Sequence, residues 1–299
     1  MPDHPVLAVD RPAGLRRRAI LCVLGSSACF ALAAALVKYA SPGLPVAEVV
    51  LFRSVCSVLI LVPLLRGHGG WSALRTSRPG AHLLRLLSGF IGMYAAFYGY
   101  AHLPIATVTT LGFSMPIFLT LLSIPLLHER IGPTRAGATM AGLVGVLIVL
   151  RPWQAGDAGQ FGPALVVMVG VAAWALAMIS IRRMGRSGER NVTIVLLFSI
   201  GSTVLAALLA IPVWVAPTGL QLLALIGVGV ISTAAQLLMT EGYRSGEATM
   251  LAPFEYGAII YAVLLGWLIW AEVPDGWDLV GISVLVLSGL YTWWREGKS

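Results

Sequence analysis

Ten apolar runs of roughly twenty residues, parted by short turn-rich segments, constrain this chain more than any other feature. They lie near residues 19–40, 46–65, 82–102, 105–127, 136–151, 162–181, 192–214, 220–243, 247–271 and 277–294. A helix rising about 1.5 Å per residue needs ~20 residues to cross the ~30 Å hydrocarbon layer of a bilayer. The segments between runs, such as "SPGLP", "HLP", "RPWQAGDAGQFGP" and "EVPDGW", are turn formers. The fold class expected is an all-α polytopic membrane protein with ten transmembrane helices. Composition agrees: 58% of residues are hydrophobic, 11% are charged, and the mean hydropathy is +0.87. Soluble domains carry roughly 25% charged residues.

The charges that remain are asymmetric. If the N-terminus is cytoplasmic, seventeen of the 20 basic residues fall on the cytoplasmic side, including Arg16–Arg18, Arg85, Arg130, Arg182 and Arg190. Only Arg151 falls in an outer loop, while Lys38 and Arg53 lie within spans. This positive-inside bias predicts cytoplasmic termini, with residues 1–18 and 295–299 as tails. The net charge of +7 is then read as loop arginines facing anionic lipid, not nucleic acid. The N-terminal stretch lacks the charge, apolar run and cleavage-site order of a signal peptide.

Motifs for other chemistries are missing. Cys22, Cys29 and Cys56 sit in apolar runs and suggest no disulfide framework. No histidines share a buried face at metal-site spacing, so no metal or other cofactor is expected. There is no P-loop to drive an ATP engine, and neither H-E-x-x-H nor G-x-S-x-G appears. The chain reads as a non-enzyme.

The two halves repeat. "ATVTTLGFSMPIFLTLLSIPLLHERIG" from Ala106 and "ATMLAPFEYGAIIYAVLLGWLIWAEVPDG" from Ala248 each open on Ala-Thr, run one span and reach a glutamate, Glu129 or Glu272. Glycines eight apart follow in both: Gly137 and Gly145, Gly281 and Gly289. The first spans align as well, Phe30 over Trp174 and Lys38 over Arg182. A repeat of five spans must enter the membrane from the opposite side in its second copy. Residues 19–151 and 162–294 are therefore expected to form inverted five-helix repeats, an architecture of secondary transporters.

With the "HER…G…G" and "AE…G…G" tails and the "APFEY" motif, the chain resembles the EamA-type drug/metabolite transporters over roughly residues 19–294. Within that superfamily it is most similar to the YddG-like amino-acid exporters. The resemblance implies a basket of helices around a central cavity, lined mainly by spans 3, 4, 8 and 9, and export of small metabolites.

Candidate residues follow from polar or aromatic groups inside spans. Pro253 and Pro116 break the backbone ladder and are nominated as hinges. Glu255, with Tyr256, is an intramembrane carboxylate beside a kink, expected to face the cavity or to be a protonated or arginine-paired structural residue. Thr110 lies on the matching part of span 4. Tyr94 and Tyr98 repeat every four residues on span 3, and Trp174 lies on span 6; these rings are expected to face substrate, or else to pack on lipid or core. Gln236 and Thr240 share a face of span 8, as a zwitterion reader or as interhelical glue. Lys38, Glu48 and Arg53 are expected to cluster at the outer ends of spans 1 and 2, as a gate or a structural ion pair, with Arg53 paired to a carboxylate or carbonyls. The function expected is export of small amino acids or related metabolites by alternating access. Alternatives are a carrier of S-adenosylmethionine or a drug-like cation, or an embedded enzyme. The partners expected are a small-molecule substrate and the bilayer.

Overall fold

The computed structural model describes residues 13–65, 70, 76, 78–115, 117–118, 121–122, 133–151, 158–245 and 257–296. Ten α-helices can be bounded among them: α1 Ala13–Ala40, α2 Val46–Leu64, α3 Pro79–His102, α4 Ile105–Gly112, α5 Pro133–Leu150, α6 Ala158–Arg186, α7 Asn191–Ala210, α8 Gly219–Ser245, α9 Gly257–Trp270 and α10 Gly276–Glu296. Proline marks several starts, where a missing N–H costs nothing. Pro45 and Pro104 precede α2 and α4, and Pro79 opens α3. No strand occurs among the described residues. Six of the helices are long and apolar enough to cross a membrane; α9 and the apolar parts of α5 and α10 are shorter. The hinge candidates Pro116 and Pro253 lie outside the described residues.

The interior is mainly apolar, as in a soluble protein, but the outer surface is apolar too. Large apolar side chains are exposed along the outer surfaces, among them Leu59, Val169, Leu208, Leu223, Leu268 and Leu287. Polar side chains are buried, including Ser54, Arg53, Arg85, Ser202, Thr233 and Gln236. That pattern suits a hydrocarbon solvent outside and polar contacts within. The chain is a multi-pass membrane protein.

The packing crosses between halves. α1 lies mainly on α8, α3 on α6, α5 on α10, and α2 on α7 and α8, while α9 packs on α1 and α4, and α4 on α6. Exchange α1 with α6, α2 with α7, α3 with α8, α4 with α9 and α5 with α10, and these pairings map onto one another. The α1–α8 contact becomes α6–α3, and α2–α7, α4–α9 and α5–α10 become themselves. This is the signature of a pseudo-two-fold axis between inverted repeats.

Small residues permit these approaches. A Cβ on Gly170 would lie 2.3 Å from the Ala95 Cβ, and one on Gly99 2.4 Å from a Val167 methyl, so α3 and α6 touch nearly backbone to backbone. At the α5–α10 crossing a Cβ on Gly145 would lie 3.1 Å from the Gly281 carbonyl. Buried hydroxyls add a cross-repeat bond, Ser57 Oγ to Thr233 Oγ1 at 2.7 Å.

Candidate functional site: a central cavity with a buried arginine

Where the crossed pairs leave space, a cavity of about 370 Å³ opens. The first repeat contributes Ser26, Phe30, Arg53, Phe97, Tyr100 and Thr109; the second contributes Trp174, Ser232 and Gln236. Phe30 and Trp174, aligned by the internal repeat, thus both face the hollow from α1 and α6. A volume of this order suits a small metabolite.

Among the described lining residues Arg53 is the charged one. It is 6% exposed, and its Nη1 has no hydrogen-bond partner. The ring centroid of Phe198 on α7 lies 6.0 Å from its guanidinium carbon. Arg85 on α3 contacts the same ring, at 4.0 Å, and lies 5.3 Å from the Trp174 ring. It is 2% exposed, and its Nε and Nη1 are also without partners. Gly89 makes room for it, since a Cβ there would fall 1.8 Å from Arg85 Nη1.

Beyond one end of the cavity, four elements meet at an ion pair. Lys38, in the last turn of α1, donates to Glu272 and, at 3.1 Å, to the Leu103 carbonyl. The second Glu272 oxygen accepts the Ile105 N–H at 3.4 Å, so a carboxylate caps the start of α4. Trp270 lies 5.4 Å from the Lys38 ammonium. Nearby, Arg151 binds both Asp275 and Asp278, tying the end of α5 to the start of α10. The hydrogen bond from Arg151 holds the Asp275 carboxyl below the usual aspartate range. At the opposite end of α3, Glu189 accepts from Thr76 Oγ1 at 2.5 Å and lies 3.8 Å from His82 Nε2.

The sequence candidates separate into groups. Trp174 and Gln236 line the cavity. Thr110 is buried beside a smaller hollow of about 180 Å³ that also touches Glu272, and its hydroxyl donates to the Ala106 carbonyl at 2.7 Å. Tyr94 does not face the cavity; it lines an apolar groove with Ile91, Leu165 and Val169 on the outer surface. Tyr98 stacks on His102, with centroids 4.1 Å apart. The cavity face of α3 is Gly92, Met93, Ala96, Phe97 and Tyr100 instead. Thr240 lies on α8, but its side chain is outside the described set, as are Glu255 and Tyr256.

Lys38, Glu48 and Arg53 do not cluster. Five residues along a helix turn about 140°, so Glu48 and Arg53 point apart on α2. Glu48 is fully buried and accepts the Val215 N–H at 2.6 Å, Lys38 takes Glu272, and Arg53 meets neither carboxylate nor carbonyl among the described residues. Arg85, counted among the cytoplasmic loop arginines, is a core residue of α3. The leucines on both sides of it in "LLRLL" were the signal.

Two inverted helical halves enclosing a largely apolar cavity with a few polar groups are the architecture of a membrane transporter. The EamA-like transporter family matches residues 17–151 and 162–294, once over each half. The riboflavin transporter of Vibrio cholerae is 32% identical over 93% of this chain and 94% of its own length. The pseudopaline exporter CntI of Pseudomonas aeruginosa is 30% identical, over 92% and 95%. The S-adenosylmethionine uptake transporter of Rickettsia felis is 29% identical, over 88% and 87%. A crystal structure of 20% identity superimposes with a TM-score of 0.65 over 92% of this chain and 96% of its own, in support of the fold. The chain belongs to the EamA-like transporter family and is a transporter, not an enzyme.

Proposed function

We propose that this transporter carries an amino acid or a related small metabolite outward across the bacterial inner membrane by alternating access, with both termini in the cytoplasm. The observation that carries the reading is the composite cavity, to which repeat-related aromatic residues, Phe30 and Trp174, contribute one from each half. Two rings grip an apolar side chain, while Gln236 and the Ser26 and Ser232 hydroxyls address the polar end without a fixed charge of their own. In this conformation the Lys38–Glu272 pair would seal the outer end. The relatives' names include both uptake and export, so outward transport rests on the resemblance to amino-acid exporters. Their different cargoes fit one helical frame around a variable lining.

Counterflow into proteoliposomes across a panel of amino acids, nucleosides and organic cations tests the reading. Saturable exchange of at least one amino acid is expected, reduced tenfold or more by Trp174→Ala. Exchange confined to nucleosides or cations would remove amino acids as the cargo.

A further inference from the structure

Among the described residues, the cavity holds a positive charge with no carboxylate against it. Arg53 lines the hollow, is more than nine-tenths buried, and has no hydrogen bond or ion pair among the described residues. Among the described carboxylates, Glu48 accepts from Val215 through one oxygen and leaves its Oε2 unpartnered, while Glu272 is held by Lys38 and Ile105, and Asp275 and Asp278 by Arg151. Phe198 offers Arg53 only a ring at 6.0 Å and shares it with Arg85, which brings a second positive charge behind the first. Arginine does not give up its proton, so Arg53 presents a fixed positive charge to the cavity. A structural arginine at this depth would be expected to meet a carboxylate or carbonyls; this one faces the space a solute would fill.

We infer that the transported solute bears a carboxylate and that Arg53 is its binding residue, a deepening that rests on the small-metabolite transport reading above. The planar guanidinium matches a carboxylate in a two-bond fork. Among the described lining residues Arg53 is the one cation, and a solute carboxylate would pair with it. Trp174 and Phe30 then take the apolar body of the solute. The same charge repels organic cations, which selects against drug-like amines.

Calorimetric titration of the detergent-purified full chain with four phenyl compounds of similar size tests the assignment: hydrocinnamate as anion, L-phenylalanine as zwitterion, phenethylamine as cation and 3-phenylpropanol as neutral. Hydrocinnamate is expected to bind at least tenfold more tightly than the amine or the alcohol. Arg53→Gln should erase that margin, and Arg53→Lys should keep part of it. The alcohol or amine matching hydrocinnamate, the margin persisting in a folded R53Q protein, or binding of none of the four would overturn the inference. If R53Q does not fold, the ranking in the unmodified protein and in R53K decides. The amino-acid reading fails separately, when hydrocinnamate binds and L-phenylalanine does not.

Discussion

Glu272 reaches its partners because of the residue before it. Ala271 has φ +56°, a left-handed conformation that a non-glycine residue adopts at roughly 1–2 kcal/mol. Its N–H bonds the Trp267 carbonyl, and the Glu272 N–H bonds the Gly266 carbonyl, so α9 closes on itself and turns the glutamate back toward Lys38. Sterics at the α3–α6 contact are equally local. Gly170→Ala would place a methyl 2.3 Å from the Ala95 Cβ, and neither helix can yield without moving backbone. A loss of about 1–3 kcal/mol is expected, read as a lowered midpoint in detergent thermal melts, and Ala95→Gly in the same chain should recover most of it. The spacing of Tyr94 and Tyr98 was legible in the sequence, but their facing was not. In a membrane helix both lipid and core faces are apolar, so the contrast that sets rotational phase in a soluble helix is missing. Arg53 and Trp174 stood out because charge and ring size are unusual at that depth whatever the phase.

At the scale of elements, the Lys38–Glu272 pair joins α1 to the end of α9 and the α3–α4 junction. Hydrogen bonds to charged groups are worth about 1.5–3 kcal/mol each, so Lys38→Met and Glu272→Gln should each lower stability by that order. Their double variant should lose less than the two losses added, because both remove the same pair. Additive losses in thermal melts would mean that the two residues act independently. The sequence marked both residues, one as a lysine at a helix end and one as the repeat's glutamate, but nothing in spacing joins positions 234 residues apart. Glu48 and Arg53 show the opposite error: nearness along the chain suggested a cluster that helical rotation prevents.

For the whole molecule, span count and repeat were the most legible features, because bilayer thickness fixes helix length and five spans force inversion. The pairing of helices was hidden, since lipid-facing surfaces give no code for which apolar face meets which. Inversion makes a direct prediction. With the three native cysteines replaced, a cysteine at Gly43, between α1 and α2, and one at Ser187, between α6 and α7, should react with a membrane-impermeant maleimide from opposite sides, Gly43 from outside. Labelling of both from one side would refute the topology. The crossed pairing also bears on biogenesis. Since α1 rests chiefly on α8 and α3 on α6, the earliest helices to leave the ribosome enter lipid before their main neighbours have been synthesised. They wait there with only their lesser contacts, α1 and α2 on α3, and assembly becomes a late event, complete only when the last third of the polypeptide arrives to interleave with the first.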